Sequence, residues 1–262
     1  MEADDPTRSV AAFYDGLADH YDALYEDWWA GAQAHGRVID GVLHELDVRP
    51  PASILDCACG IGTQALGLAA LGYRVTGTDL SAGAVERARR EAGVHSVQAT
   101  LLVGDMRELD RVVPGPFAAV VCCDNSLPHL VADSELDRAL SAIRGMLAPG
   151  GPLVASVRDY DNLLTKRPTG VTPIVRARAN VREIVGQAWE WHDGNRVHID
   201  LFILREGAPD SWTAQVHSTW YRAYTRDELT TALTRAGLVD VRWWDAATTG
   251  YYQPIVTARA PQ

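Results

Sequence analysis

The sequence is short of phenylalanine, of basic charge and of long apolar runs. Its 262 residues hold three Phe against eight Trp and nine Tyr, and 24 Lys plus Arg against 34 Asp plus Glu. The net charge of −10 has the wrong sign for a surface that grips nucleic-acid phosphates, so no nucleic-acid partner is expected. No stretch approaches the roughly 18 consecutive apolar residues of a membrane span, and no membrane partner is expected. The opening MEADDPTRSV is acidic and has no apolar core, so it does not read as a secretory signal. Cysteine is sparse: four residues, as Cys57-x-Cys59 and Cys122-Cys123. Neither spacing matches the usual Cys-x2-Cys of a zinc site, and neither makes a disulfide framework. They read as small buried packing residues in a reducing, cytoplasmic setting, with no metal.

What is present is globular. Hydrophobic residues make up 47% and charged residues 22%, far from the composition of disorder. A chain of this length builds a full-sized core without staples. Residues 10–25 and 28–46 carry apolar side chains at helical spacing, and Pro50-Pro51 stops the second segment. Strands are then expected at 52–57, 73–79, 97–103, 117–123 and 153–157. Helices lie between them at 64–71, from a Ser81 cap to about 92, and at 133–147. Strands alternating with helices predict a mostly parallel sheet covered on both faces.

After Arg158 the rhythm changes. Residues 188–192 and 197–202 alternate apolar and polar around Asp193-Gly194-Asn195, a hairpin signal. An antiparallel insertion is expected over about 168–221. Thr225 opens a helix with a capping box, and two closing strands follow at 239–245 and 253–258.

The first strand runs into Ile54-Leu55-Asp56-Cys57-Ala58-Cys59-Gly60-Ile61-Gly62-Thr63. Strand, glycine turn and helix make the tight turn that lets backbone approach a ligand at the carboxyl edge of an open α/β sheet. Gly60-x-Gly62-x-x-Ala65 also fits the dinucleotide spacing, so a nicotinamide-dependent enzyme is one reading. Asp79 ends the second strand, where an acid binds a ribose diol. Gly104-Asp105-Met106 ends the third, and Asp56 precedes the glycines. Acids at these positions suit a cationic ligand better than a pyrophosphate.

Four blocks, LDCACGIGTQAL (55–66), TGTDLS (76–81), CDNSLPHL (123–130) and SVRDYDNLL (156–164), resemble the class I S-adenosylmethionine-dependent methyltransferases, and most of all their glycine/sarcosine N-methyltransferase branch. The resemblance implies a Rossmann-like class I methyltransferase fold with a mostly parallel seven-stranded sheet. It divides the chain into an N-terminal helical lid (1–48), a cofactor-binding core (49–164), an antiparallel acceptor-binding insertion (165–224) and a C-terminal completion of the core sheet (225–262). S-adenosyl-L-methionine is the implied cofactor. Ala58, Gly60 and Thr63 would line its methionine end, Asp79 its ribose, and Leu80, Asp105 and Met106 its adenine. Cys123 and His129 would close over the amino-acid end. Tyr21, Trp28 and Trp29 match the lid, where Gln33 and Arg37 are alternatives for the cofactor carboxylate. Asn125 and Arg158 match substrate-contacting positions, the arginine by pairing with a carboxylate. Position 124 departs from the branch, with Asp where a small glycine-like residue is common.

The implied reaction is methyl transfer by in-line displacement to a small-molecule acceptor, first an amine or amino-acid nitrogen. The aromatic-rich region after 185 motivates a second reading, N- or C-methylation of a larger indole-type metabolite. A non-catalytic cofactor-binding module is a third. Six of the eight tryptophans lie between 189 and 244, which points to that region as the part that chooses the acceptor. Tyr14, Tyr160, Trp191, Tyr221, Tyr224 and Tyr251 join Asn125 and Arg158 as candidate acceptor contacts; each aromatic could equally belong to a buried sheet face. His129 and Tyr21 are the candidates for proton handling. Either an intramolecular lid or a homodimer or higher homo-oligomer is compatible with the sequence.

Overall fold

The computed structural model describes residues 6–178, 181–207 and 211–262. Residues 1–5 of the acidic opening, and 179–180 and 208–210 of the expected insertion, lie outside them.

Strands β1 (Ser53–Asp56), β2 (Arg74–Asp79), β3 (Thr100–Val103), β4 (Ala119–Cys122) and β5 (Pro152–Ser156) form one sheet, joined by β10 (Val239–Trp244) and β11 (Ile255–Arg259). The order is β10-β11-β5-β4-β1-β2-β3. All pairs are parallel except those of β11, which runs against both β5 and β10. Chain order reverses between β1 and β4, so their carboxyl ends open on a crevice, the place where open α/β sheets bind ligands. Every residue of β4 is buried, as a strand covered on both faces requires.

One face is covered by α2 (Trp28–Glu45), α3 (Thr63–Ala70) and α4 (Ala82–Val94); the other by α5 (Asp133–Met146) and α7 (Arg226–Arg235). Caps set the starts of several of these helices. Asp27, Ser81 and Thr225 accept from the backbone N–H groups of Ala30, Ala84 and Glu228. Helices α2 and α3 meet at two glycines. A Cβ on Gly67 would stand 2.2 Å from the carbonyl oxygen of Ala32, so only glycine permits this approach.

The second sheet is an antiparallel meander of β6 (Gly170–Arg178), β7 (Val181–His192), β8 (Arg196–Glu206) and β9 (Trp212–Arg222). The β7–β8 turn uses Gly194 and Asn195 with positive φ, 69° and 57°, as a tight hairpin demands. Its inner face packs Val185, Leu201 and Ile203 onto Phe13 and Leu17 of α1 (Pro6–Leu17). Helix α1 thereby lies between the meander and the crevice.

Some boundaries differ from the sequence reading. The first helical segment ends at Leu17 and continues as a 3-10 stretch, Ala18–Leu24. Two short helices, α6 (Tyr160–Lys166) and α8 (Ala246–Thr249), were not expected. The third strand begins at Thr100, after Ser96 takes a φ of 54°. Among the described residues, no helix is long and apolar enough to cross a membrane. The four cysteines are buried and unpaired.

Candidate active site

After β1 the backbone turns back on itself. Gly60 takes φ 52° and Gly62 φ 94°, a conformation glycine adopts at little cost; Gly62 is the N-cap of α3. The Asp79 carboxylate at the end of β2 ties this turn down. It accepts from the N–H of Gly60 at 2.8 Å and of Ser81 at 2.9 Å. Burial raises its pKa and those two bonds pull it back part of the way. Each oxygen keeps a lone pair for a ribose hydroxyl.

Asp56 lies behind the same turn and is 1% exposed. One oxygen accepts from the Ala58 N–H at 3.4 Å, and the other is buried with no partner. Burial pushes its pKa up to about 8, because a carboxylate away from water disfavours its charged form. An acid held neutral by its surroundings, with an orphaned oxygen, suits a site that receives a cation.

The adjoining cleft is lined by Tyr14, Tyr21, Ala58, Gly60, Thr63, Asp79, Leu80, Asp105, Met106 and His129. Nine predicted cofactor and lid residues are brought together there, with Tyr14, an acceptor candidate. Asp105 is more committed than expected. Arg107 binds both its oxygens at 2.5–3.0 Å and reaches Glu135 at 2.6 Å. Partial burial would raise the Asp105 pKa, but the Arg107 bonds outweigh this and lower it. Recognition of an adenine edge by this carboxylate therefore requires exchanging an Arg107 bond.

A second cavity of about 360 Å³ opens beside the cleft, within the size range of small-molecule sites. Asn125, Arg158 and Tyr221 line it, with Gln187 and an apolar wall that includes Phe13, Leu17 and Leu201. Tyr14, Tyr21 and Asp124 line both spaces and so mark their junction. The Arg158 guanidinium stacks between Trp189, 4.8 Å from its centroid, and Tyr221 at 5.3 Å. It donates to Gln187 Oε1 at 3.4 Å, while its Nη1 and the Nδ2 of Asn125 are buried without a partner. No carboxylate pairs with Arg158 among the described residues.

At the junction the Tyr14 hydroxyl lies 2.8 Å from His129 Nε2. On the other side of the imidazole, Nδ1 is 3.4 Å from Thr219 Oγ1. Burial pushes the His129 pKa down to about 3, a contact with the Trp220 backbone opposing this only in part. The ring is neutral at pH 7 and a poor proton acceptor, which favours a hydrogen-bonding role over general base. Burial also raises the Tyr21 phenol well above its ordinary value, leaving it neutral.

Several predicted contacts sit elsewhere. Trp28 is buried behind the turn and donates its indole N–H to Thr63 Oγ1 at 3.1 Å. Trp29 stacks on His95 at 4.0 Å. Cys123 is buried under the junction. Tyr160 is buried behind Arg158 with an unpartnered hydroxyl, its pKa pushed up to about 12 by burial. Trp191 lies off both cavities, its indole donating to the Pro168 carbonyl at 2.9 Å. Tyr224 is also outside, its hydroxyl donating to the Leu130 carbonyl. Tyr251 lines neither space but donates to Asp124. Gln33 and Arg37 line neither. Gln64, Tyr25, Arg107 and Gln187 are lining residues that the sequence reading missed; Asp124 had a signal as the departure inside its block, and Tyr252 lies in the 250–254 segment that the sequence allows to reach over the site.

Residues 54–151 match the methyltransferase domain family. The chain is 30% identical over 209 residues to a glycine/sarcosine N-methyltransferase of Parasynechococcus marenigrum, covering 74% of this chain and 71% of that protein. It is 28% identical over 234 residues to the dTDP-3-amino-3,6-dideoxy-alpha-D-glucopyranose N,N-dimethyltransferase of Streptomyces fradiae, covering 88% of each. The fold superposes on the crystal structure of DesVI from Streptomyces venezuelae with a TM-score of 0.78, at 23% identity, over 94% of this chain and 98% of that one. With a Rossmann-like sheet, a glycine turn tied to Asp79 and a cleft at the switch point, the chain belongs to the class I S-adenosylmethionine-dependent methyltransferases.

Proposed function

We propose that the acceptor is a small amine carrying an anionic group, methylated on nitrogen. The observation that carries this reading is Arg158, a guanidinium lining the acceptor cavity beside the buried, unpartnered Nδ2 of Asn125 and, among the described residues, with no carboxylate of its own. Such a fork holds a carboxylate or a phosphate by charge-assisted hydrogen bonds. The two relatives named above act, by their names, on amines of this kind: an amino acid and a nucleotide-linked amino sugar.

When bound, S-adenosylmethionine supplies a methyl group on a sulfonium, and the protein needs no covalent intermediate. The chain's own residues position and exclude water. Arg158 and Asn125 anchor the anionic end of the acceptor. The Tyr14 hydroxyl, paired with the neutral His129, stands at the junction to meet an acceptor N–H. Holding the reactants in line supplies up to about 7–11 kcal/mol in well-oriented systems. The 165–224 region, through Gln187, Leu201 and Tyr221, builds the acceptor side.

The indole-type reading has less support, because none of the six tryptophans from 189 to 244 lines either cavity. The test is methyl transfer from labelled S-adenosylmethionine to glycine, sarcosine, dimethylglycine and a nucleotide-linked amino sugar, against tryptophan-derived acceptors. Turnover of an anionic amine, with KM raised at least about 20-fold in Arg158→Met, is the expected result. Turnover of indoles alone, or an unchanged KM, would refute it.

A further inference from the structure

Asp124 lines both cavities and belongs to neither the Arg158–Asn125 anchor nor the Tyr14–His129 pair. It follows β4 with φ 59°, and Asn125 follows with φ 65°. This turn is pinned from outside: Ser156 Oγ accepts the Asp124 N–H at 2.8 Å, the Ser156 carbonyl accepts that of Asn125 at 3.1 Å, and Asn125 Oδ1 accepts that of Arg158 at 3.1 Å. Glycine would hold this backbone with less strain, so the backbone does not call for an aspartate.

The side chain is organised. The hydroxyls of Tyr251 and Tyr252 both donate to Asp124 Oδ1, the second at 2.8 Å. Gln64 Nε2 donates in turn to the Tyr251 hydroxyl at 3.0 Å. These bonds fix the carboxylate through Oδ1; no side chain among the described residues donates to Oδ2, and the half-buried Asp124 lines both cavities. No cation pairs with Asp124 among the described residues. The acceptor cavity thus holds an unpaired guanidinium, Arg158, and an unpaired carboxylate at the junction with the cofactor cleft.

We propose that Asp124 Oδ2 accepts the N–H of the acceptor amine and stabilises the positive charge that methyl transfer leaves on nitrogen. The inference rests on the amine reading above and adds the residue that recognises the nitrogen. In the step, the amine lone pair forms the new N–C bond while the C–S bond breaks with its electron pair going to sulfur. The positive charge passes from sulfur to nitrogen, and one proton then leaves the ammonium for solvent. A fixed carboxylate beside the nitrogen stabilises that product-like charge more than the neutral amine, which is the condition for lowering the barrier. Its occupant is a primary or secondary amine, which keeps an N–H to donate.

The test needs no knowledge of the acceptor. Sinefungin carries an amine-bearing carbon in place of the sulfonium, whereas S-adenosylhomocysteine is neutral there. The intact protein is expected to prefer sinefungin by about tenfold or more, the scale of a hydrogen bond to a charged group. Asp124→Asn and Asp124→Gly should lose that preference while binding S-adenosylhomocysteine within about threefold of wild type. Thermal melting checks folding, and Asp124→Gly guards against a defect peculiar to the amide. A preference that survives both variants overturns the proposal. So does an equal loss of affinity for both ligands, which would assign Asp124 to the cofactor's own amino group or to structure. Failure of the amine reading would instead appear as transfer to carbon or oxygen and would leave these affinities untouched.

Discussion

Asp56 offers a direct test of the electrostatics of the cleft. Its carboxyl is raised from 3.8 to about 8, first by burial, with the Ala58 N–H opposing and Asp79 adding to it. The fully buried group is neutral in the folded protein at pH 7 and ionised in the unfolded chain. A raised acid pKa contributes stability that is whole below about pH 4 and is lost as pH rises towards 8. The shift of about 4 units, at about 1.4 kcal/mol each, sets an upper scale of about 6 kcal/mol. Asp56→Asn keeps the shape and removes the titration. Urea unfolding of both proteins from pH 4 to 9 should show the variant gaining on wild type by up to about 1.4 kcal/mol per pH unit, levelling above pH 8. Binding is linked to the same group. A cationic ligand in the cleft favours ionised Asp56, so S-adenosylhomocysteine, whose amino group is protonated, should release up to about 0.9 proton at pH 7. Calorimetry in buffers of different ionisation enthalpy measures this. A flat stability difference, together with no proton release that depends on Asp56, would refute the argument.

Other expectations concern neighbouring residues. Asp79→Ala removes the acceptor of the Gly60 and Ser81 N–H groups and the candidate ribose ligand; affinity for S-adenosylhomocysteine should fall about 100-fold by calorimetry, and unchanged binding would remove the ribose assignment. Tyr14→Phe should lower kcat about tenfold with cofactor affinity nearly unchanged. With the His129 pKa at about 3, the pH–rate profile should show no limb from pH 5 to 8 that disappears in His129→Gln. Gly67→Ala places a Cβ 2.2 Å from the Ala32 carbonyl oxygen and should destabilise by about 1–3 kcal/mol in chemical unfolding.

Local chemistry made much of this architecture legible. Ser81 and Thr225 announce their helices by capping, and the Asp193-Gly194-Asn195 turn between alternating runs announces β7 and β8. Glycines followed by Asp79 mark the cofactor edge because that turn needs both a permissive backbone and an anchor. Alternation is a weaker guide to which face of a strand meets the site. Trp220 and Tyr221 are neighbours, yet Tyr221 lines the second cavity while Trp220 lies between His192 and His198 on the other face. Of the six tryptophans from 189 to 244, none lines either cavity, and Trp189 stacks against Arg158. The seven residues of α6 are too few to show helical periodicity. The junction was least visible, since Tyr251 and Tyr252 reach Asp124 across more than 120 residues of sequence.

On the proposed reading, methyl transfer ends on nitrogen. Its most direct test is the product formed from S-adenosylmethionine carrying a 13C-labelled methyl group, read by NMR on whichever acceptor is turned over. A single labelled resonance in the N-methyl region, from an acceptor bearing a carboxylate or phosphate, is the expected result. A labelled resonance in the C-methyl or O-methyl region would contradict it.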